Sequence, residues 1–306
     1  MSRLNCWAAT LAPYDARGAV DVSRIPEQAD HLKSIGVSGA FVNGTTGEFP
    51  FLSVDERRRI LEAWMPHRTD DFHVGVQVGG LNLEKSAFLA AHAADHGVDL
   101  ISSTAPYYGQ ATSVGHIVDW LAQTASAAPD TPFCYYQIPS MTGVSHRPSE
   151  ILALSAQRIP TLTSVKFTDE DFMELDAIQR LQPRIGLFFG RDELLPQALA
   201  VGADSAIGSL YNGLAPIAHA AVDAFDRGET ERAYELHRPF RDIARVATGP
   251  GFVKELMNRL GPDVGPARGV WGPVGAAERD EIERLAGELT IALRDLRQGV
   301  GASYAQ

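Results

Sequence analysis

Short apolar runs alternate with amphipathic stretches along the chain before about residue 225, and this alternation restricts the fold more than any other feature. Only Lys166 places a charge inside one of these runs. The runs cover residues 6–12, 39–43, 73–78, 100–104, 133–138, 163–167, 185–189 and 205–209. Continuous apolar runs of this length are typical of parallel strands that are buried on both faces. The sequence therefore predicts eight buried strands.

Helical patterns with start and stop signals lie between the runs. Ser53 and Glu56 form a capping-box pattern that opens a helix over 55–65, and the arginines at 57–59 are predicted to face solvent. Gly97 is expected to end the helix before the fourth run. Eight strands followed by helices, at intervals of roughly 20 to 35 residues, predict an α/β fold of the (β/α)₈ or TIM-barrel type.

The competing fold is a doubly wound sheet, which would carry a glycine fingerprint after its first strand, and Ala12-Pro13-Tyr14-Asp15 is not one. We expect the barrel and its active site in residues 1–225. Residues 226–306 are expected to form a C-terminal helical layer packed on the barrel, with a loose tail at 302–306. In this part of the chain, helices are predicted over 217–227, 230–246, 251–260 and 276–297.

Composition excludes several classes of partner. The 306 residues carry 27 Lys+Arg and 38 Asp+Glu, a formal net charge of −11, so a basic stripe for nucleic acid is not expected. No apolar run approaches the ~20 residues that span a bilayer, and the first ten residues lack the apolar segment of a secretory signal. The two cysteines, far apart, form neither a disulfide framework nor a zinc pattern. We expect a cytoplasmic protein with no nucleic-acid or membrane partner.

Lysine is scarce in this chain. The four lysines are Lys33, Lys85, Lys166 and Lys254. A charged Lys166 inside an apolar strand is costly unless it is paired, and burial would favour the neutral amine, which attacks carbonyl groups. The alternative is a lysine that reaches from the strand end toward Asp169 or Glu170. The other three lysines fall in helical or polar settings and are weaker candidates.

Two further strand ends carry candidate groups, because barrel active sites lie where the strands end. Gly44-Thr45-Thr46-Gly47-Glu48 closes the second strand, and its small residues suit backbone N–H groups that bind a carboxylate. An ordinary strand-to-helix turn is the alternative. Tyr136 ends the fifth strand, where it could relay protons or simply pack.

Polar residues also follow the seventh and eighth strands. They include Gly190, Asp192, Glu193 and Ser209. Such groups could bind the hydroxyl groups of a polyhydroxylated substrate, or they could cap the next helix. A metal site is not expected, because His92 and His96 are spaced i, i+4 on one helix with no third ligand or HExxH pattern.

Taken in order, three motifs resemble the pyruvate-dependent class I aldolase family, which includes dihydrodipicolinate synthase and N-acetylneuraminate lyase. They are the 44–48 motif, Tyr136-x-x-Pro139 and Val165-Lys166-Phe167, within a likeness that runs from Ala8 to Lys254. The sequence is most similar to the N-acetylneuraminate lyases. Synthases of the family carry an arginine two residues after the proline of the Tyr-x-x-Pro motif, and this arginine binds the second carboxylate of the substrate. Met141 occupies that position here and cannot form the two parallel hydrogen bonds.

The resemblance implies a carbon–carbon lyase that cleaves N-acetylneuraminate to pyruvate and N-acetylmannosamine through a Schiff base on Lys166. Thr45 and Thr46 would hold the carboxylate, and Tyr136, linked to Thr46, would move the proton of the C4 hydroxyl. Tyr108 would close the site of a neighbouring subunit in a homotetramer. No metal or organic cofactor is implied. The implied sugar-tail pocket comprises Thr168, Gly190, Asp192, Glu193 and Ser209.

Three alternatives remain open at this point. Another pyruvate aldolase of the family would take a 2-keto-3-deoxy sugar acid or an aromatic aldehyde, and the bulk of Phe49-Pro50-Phe51 near the mouth could favour a different aldehyde. Dihydrodipicolinate synthase is the next alternative. A ligand-binding regulator on a barrel without catalysis is the third, and the presence of Lys166 and Tyr136 argues against it.

Overall fold

Eight parallel strands form a closed barrel in which each strand pairs with the next along the chain and β8 pairs with β1. The computed structural model describes residues 3–109 and 111–298. The strands are β1 (Asn5–Ala9), β2 (Gly39–Val42), β3 (His73–Gln77), β4 (Leu100–Thr104), β5 (Phe133–Gln137), β6 (Leu162–Phe167), β7 (Gly186–Phe189) and β8 (Ser205–Gly208). All eight predicted strands are confirmed, each to within a few residues.

Helices surround the barrel and continue beyond its last strand, so the predicted TIM barrel with a C-terminal helical extension is confirmed. The helices are α1 (Ile25–Ser34), α2 (Val54–Trp64), α3 (Leu83–Asp95), α4 (Val114–Ala125), α5 (Pro139–Thr142), α6 (Pro148–Arg158), α7 (Phe172–Gln179), α8 (Leu195–Ala200), α9 (Tyr211–Asp226), α10 (Thr230–Leu236), α11 (Arg238–Val246), α12 (Pro250–Leu260) and α13 (Ala276–Arg297). The capping box at Ser53 and Glu56 is present. Gly97 follows α3 in the left-handed region at φ 71°.

The interior of the barrel has its own apolar core, separate from the larger core between strands and helices. Trp7 fills the interior near Gly39 and Gly75, where an added Cβ would lie 2.5 Å and 2.9 Å from the indole. Both positions therefore require glycine. Phe41 and Tyr136 belong to the same interior core, and they mark the end of the barrel at which the candidate site lies.

Two predicted helices differ from the observed ones, and proline explains both. The helix predicted over 217–227 begins earlier, at Tyr211, so that Pro216 lies inside the helix and not just before its start. Proline lacks the N–H that would bind the carbonyl of Asn212, and His31 Nε2 lies 3.0 Å from that oxygen instead. The helix predicted over 230–246 is broken at His237, since Pro239 starts a new helix, α11.

Arg57 does not face solvent as predicted. It is buried on α2 and donates to the carbonyl oxygens of Gly79 (3.1 Å) and Gln77 (2.6 Å). These carbonyls lie where β3 ends, so the guanidinium supplies donors that the sheet no longer provides. Among its neighbours, Arg58 is half-buried and Arg59 is exposed.

The helices after the barrel pack on its outer face. Phe240, Phe252, Leu256 and Leu289 are buried in the same core as the outward-facing strand residues. The boundary expected between residues 225 and 226 falls at the end of α9. The expected tail at 302–306 lies outside the described residues. Within the described ranges, no helix has both the length and the apolar character needed to cross a bilayer.

Candidate active site

Lys166 lies on β6 in the barrel interior, with only 4% of its surface exposed. Its Nζ lies 4.1 Å from the ring centroid of Tyr136 and 4.7 Å from that of Phe41. Tyr136 on β5 is its partner in the strand register, which brings the two candidate groups side by side. The predicted lysine and tyrosine therefore lie together at the carboxyl end of the barrel.

The two acids proposed as alternative partners of Lys166 are engaged elsewhere. Asp169 accepts a hydrogen bond from Gln137 Nε2 at 3.0 Å, and Glu170 lies 3.3 Å from the guanidinium of Arg191. Within the described part of the chain, no ion pair to Lys166 is found. The alternative in which Lys166 reaches outward to an acid is therefore not what this fold adopts.

The 44–48 loop follows β2 and places one of its threonines against Tyr136. Thr45 Oγ1 lies 3.1 Å from the Tyr136 hydroxyl, and both threonines are half-buried. The prediction that Tyr136 is linked to Thr46 is therefore wrong. The turn is closed by the Glu48 N–H, which donates to the Thr45 carbonyl at 2.9 Å. Of the two threonines, only Thr45 makes a hydrogen bond to a side chain of β5 among the described residues.

The residue before the loop and the last residue of the loop adopt a conformation unusual for non-glycine residues. Asn43 has φ 55° and Glu48 has φ 56°, both in the left-handed region. Both side chains are buried, and Asn43 Nδ2 donates to the Arg57 carbonyl at 3.0 Å. Such backbone persists only when its surroundings hold it, so the two buried side chains fix the ends of the loop.

Lys254 was underestimated from sequence. It is buried on α12, where its ammonium donates to Glu48 Oε1 and to the Ala12 carbonyl, both at 2.7 Å. Burial lowers the pKa of Lys254 to about 8, and the neighbouring carboxylate of Glu48 opposes that fall. The helical period indicates this burial, because Gly251, Lys254 and Met257 share one buried face of α12.

The residues of the implied sugar-tail pocket also meet at the ends of their strands. A Cβ on Gly190 would lie 2.2 Å from Thr168 Oγ1, and one on Gly208 would lie 1.6 Å from Asp192 Oδ1. Glycine at both positions thus lets β7 and β8 approach the polar side chains closely. Thr168 Oγ1 and Asp192 Oδ1 are buried and make no hydrogen bond within the described residues. Glu193 and Ser209 are half-buried beside them.

Asp192 is the most perturbed carboxyl group of this half of the site. Burial raises its pKa to about 7, and the neighbouring Glu193 adds to the rise. The Leu210 N–H, which donates to Asp192 Oδ2 at 2.8 Å, and the charge of Lys166 act in the opposite direction. A carboxyl group with a pKa near neutral at a barrel mouth is typical of a functional site.

An apolar cavity of about 100 Å³ opens at the mouth beside Thr45. Its lining comprises Thr45, Phe49, Pro50, Thr104, Tyr107, Ile138, Met141, Thr142 and Trp271. The bulk of Phe49 and Pro50 thus reaches the pocket, as their position after Glu48 suggested. Trp271 and Tyr107 were not identified from sequence. Trp271 packs edge-on against Phe51, with centroids 4.8 Å apart, from a turn distant in the sequence.

Tyr108, predicted to close the site of a neighbouring subunit, does not reach the site of its own chain. It is 90% exposed, whereas the adjacent Tyr107 is half-buried and lines the cavity. The exposed ring is available to a second chain.

His92 and His96, for which no metal site is expected from the sequence, do have a third potential ligand. Glu62 on α2 lies 2.8 Å from His92 Nε2, and ligand atoms of Glu62, His92 and His96 lie within 4.8 Å of one another. The statement that no third ligand accompanies the histidines is therefore wrong. The same Glu62 oxygen lies 3.5 Å from Arg58, so its charge already has a cationic neighbour. The cluster lies on the outer helices.

The fold and site define a (β/α)₈-barrel protein with a buried lysine and a tyrosine where its strands end. The model of the dihydrodipicolinate synthetase family matches residues 3–289, and the chain belongs to that family. The predicted family resemblance is thereby confirmed.

Three relatives illustrate the similarity. The N-acetylneuraminate lyase of Gallus gallus is 40% identical over 270 residues, which cover 85% of this chain and 88% of that protein. The N-acetylneuraminate lyase of Homo sapiens is 34% identical over 305 residues, or 95% and 94% of the two chains. Among solved structures, the Proteus mirabilis N-acetylneuraminate lyase has a TM-score of 0.88 at 30% identity and covers 94% of this chain and 98% of its own.

Proposed function

We propose that this chain is a carbon–carbon lyase that cleaves N-acetylneuraminate to pyruvate and N-acetylmannosamine through a Schiff base on Lys166. The observation that carries the proposal is the contact series from the Lys166 amine to the Tyr136 ring, and from the Tyr136 hydroxyl to Thr45. The three relatives described above, each 30% or more identical to this chain, bear the name N-acetylneuraminate lyase.

The first step joins Lys166 to the C2 ketone of the substrate. The neutral amine adds to the carbonyl carbon, water leaves, and a protonated imine remains. Aromatic rings of Tyr136 and Phe41 surround the amine. The substrate carboxylate lies on the 44–48 loop, where backbone N–H groups and the hydroxyls of Thr45 and Thr46 donate to it.

The second step breaks the C3–C4 bond. Tyr136 has given its hydroxyl proton to the water that leaves in the first step, and the Thr45 hydroxyl lies beside the resulting phenolate. The phenolate takes the proton of the C4 hydroxyl, and the bonding electrons move into the protonated imine. The aldehyde leaves as N-acetylmannosamine, and an enamine of pyruvate remains on Lys166. Protonation at C3 and hydrolysis then release pyruvate and restore the amine. These steps use the chain's own groups, and we propose that they need no metal or organic cofactor.

The polyhydroxylated tail of the sugar lies on the ends of β6 to β8. Thr168 Oγ1 and Asp192 Oδ1 are buried polar atoms without a hydrogen bond, and a substrate hydroxyl would satisfy each. Glu193 and Ser209 add acceptors and a donor at the rim. An ionised Asp192 accepts from hydroxyl groups, which an apolar aldehyde lacks.

A second candidate substrate is supported by the mouth cavity. Phe49, Tyr107 and Trp271 give this cavity an aromatic wall, which an aromatic aldehyde would contact more favourably than a sugar. A pyruvate aldolase for such an aldehyde, or for a 2-keto-3-deoxy sugar acid, would use the same lysine and tyrosine. Dihydrodipicolinate synthase is less favoured, because Met141 stands where a bidentate arginine is needed.

We further propose a cytoplasmic homotetramer in which Tyr108 reaches a neighbouring chain's site. Its 90% exposure in a single chain leaves the ring free to make such a contact.

Pyruvate release from three substrates tests the proposed reaction. The substrates are N-acetylneuraminate, a 2-keto-3-deoxy sugar acid, and the aldol product of pyruvate and benzaldehyde. The proposal expects the highest kcat/KM with N-acetylneuraminate and no release by Lys166→Arg, which keeps a charge but cannot form the imine. Cleavage of another aldol without release from N-acetylneuraminate would overturn the substrate assignment.

A further inference from the structure

Glu48 ends the 44–48 loop, yet its carboxylate is buried and bound entirely by the C-terminal part of the chain. The side chains of Glu48 and Lys254 are each 1% exposed. Lys254 Nζ donates to Glu48 Oε1 at 2.7 Å, and the backbone N–H of Arg268 donates to Glu48 Oε2 at 2.6 Å. Both carboxylate oxygens are therefore bound by residues more than 200 positions away in sequence.

An aromatic ring completes the surroundings of this ion pair. Tyr14 lies beneath both cations, with Lys254 Nζ 4.1 Å and Arg268 Cζ 4.4 Å from its ring centroid. The Arg268 guanidinium in turn donates to Glu56 at 2.8 Å and to the Phe51 carbonyl at 3.1 Å. The cluster thus connects α12 and the following turn to the end of the loop and to the segment that follows it.

The position of Glu48 gives the cluster influence over the loop. Glu48 has φ 56°, and its N–H closes the turn on Thr45. A left-handed conformation at a non-glycine residue relaxes when the contacts that impose it are removed. Relaxation at Glu48 would therefore change the orientation of the N–H groups that precede it in the loop.

We propose that Glu48 and Lys254 are positioning residues that hold the 44–48 loop in its carboxylate-binding conformation, so that the C-terminal layer forms part of the 2-keto acid site. This inference rests on the proposed function, in which the loop binds the substrate carboxylate. A buried ion pair adds little net stability over an apolar pair of similar volume, so stability alone does not account for it. Alignment of several donors on one carboxylate does account for it, because small displacements at such a site cost large factors in rate.

Imine formation with two ketones tests the proposal. Pyruvate carries a carboxylate and acetone does not, while both form an imine with the same lysine and can be trapped with borohydride. The variants are Glu48→Gln, which keeps the shape of the side chain, Lys254→Met, which removes the charge, and Lys254→Arg, which restores it. Lys33→Met is the matched control, because Lys33 is an exposed lysine on α1.

The proposal predicts a selective loss. Glu48→Gln and Lys254→Met should trap pyruvate about tenfold more slowly or worse, and acetone within about twofold of the unchanged protein. In steady-state assays, the KM for the 2-keto acid should rise more than kcat falls. Lys254→Arg should recover part of the pyruvate rate, and Lys33→Met should match the unchanged protein.

Two results would overturn the proposal. Equal losses for pyruvate and acetone would indicate general damage to the fold, and unchanged trapping of both would show that the ion pair does not act on the loop. Should Lys254→Met fail to fold, Glu48→Gln decides the question by the same ratio. Failure of the proposed function is distinguishable, because the unchanged protein would then trap neither ketone on Lys166.

Discussion

The hydroxyl of Thr45 lies 3.1 Å from the hydroxyl of Tyr136, although Thr45 follows β2, Tyr136 lies on β5, and the two residues are 91 positions apart in sequence. This contact joins the loop that would bind a carboxylate to the group that would move a proton. The Lys166 amine lies over the ring of the same tyrosine, 4.1 Å from its centroid. One side chain thus connects the imine-forming and carboxylate-binding parts of the proposed site.

The two threonines of the loop should therefore respond differently to loss of their hydroxyls. Thr45→Val removes the partner of Tyr136, so kcat should fall about tenfold, the value of one hydrogen bond. Thr46→Val should chiefly raise the KM for the 2-keto acid. Tyr136→Phe should lower kcat by about 10² to 10⁴. Steady-state kinetics of pyruvate release check all three variants, and a larger kcat loss for Thr46→Val than for Thr45→Val would contradict the assignment.

Asp192 should make substrate binding depend on pH near neutrality. Its pKa of about 7 means that the carboxylate, the form that accepts hydroxyl hydrogen bonds, dominates only above that pH. The KM for N-acetylneuraminate should fall as pH rises through about 7, and Asp192→Asn should flatten this dependence. An equally steep profile in the variant would show that another group titrates.

The same group links pH to stability. The folded pKa of Asp192 lies above the ordinary carboxyl value of 3.8, so the folded state binds more protons than the unfolded state between about pH 4 and pH 7. Its contribution to the free energy of unfolding is present at low pH and is lost as pH rises through 7. Urea unfolding should show this loss in the unchanged protein relative to Asp192→Asn.

Much of the fold was predictable because it depends on local patterns. Parallel strands buried on both faces, such as β2, appear in the sequence as unbroken apolar runs, and Gly97, which has a left-handed backbone, marks a helix end. The buried Lys166 was conspicuous because it interrupts such a run. The break at His237 was missed, since the apolar period continues through it and Pro239 suits the first turn of a new helix.

The parts of the site that sequence did not predict depend on contacts between distant residues. The pairing of Glu48 with Lys254 spans 206 positions, and the helical period that places Lys254 on a buried face does not show which carboxylate it meets. The choice of Thr45 over Thr46 as the partner of Tyr136 depends on the direction of one tight turn. Arg57 was misplaced because its acceptors are backbone carbonyls, which leave no trace in the sequence.

His237 should make the protein sensitive to acid. It is buried against Phe240, neither ring nitrogen has a hydrogen-bond partner within the described residues, and burial lowers its pKa to about 3. The unfolded state therefore binds more protons between about pH 6.5 and pH 3, and stability is lost as pH falls through that range.

Replacement of this histidine should reduce the acid sensitivity. In His237→Leu, the fall of the free energy of unfolding below pH 6.5 should be shallower by up to about 1.4 kcal/mol per pH unit. Denaturant unfolding at pH 4 to 7 measures the slope. Identical slopes in both proteins would show that His237 is not responsible.

Met141 should help to determine which aldehyde the site accepts. It is 51% exposed and lines the mouth cavity. Met141→Arg would place a guanidinium there, which binds carboxylates bidentately, and should lower kcat/KM for N-acetylneuraminate about tenfold. Ile291→Arg, at a 52% exposed position on α13, is the matched control. Unchanged kinetics in Met141→Arg would mean that this position does not contact the substrate.

The identity of the imine-forming lysine tests the central claim most directly. The protein is incubated with pyruvate and borohydride, and the modified peptide is located by mass spectrometry. Lys254 is a stringent internal comparison, because it is even more deeply buried than Lys166. The account predicts a single reduced adduct on Lys166 that is absent from Lys166→Arg. An adduct on Lys254 or on another lysine, or no adduct at all, would contradict it.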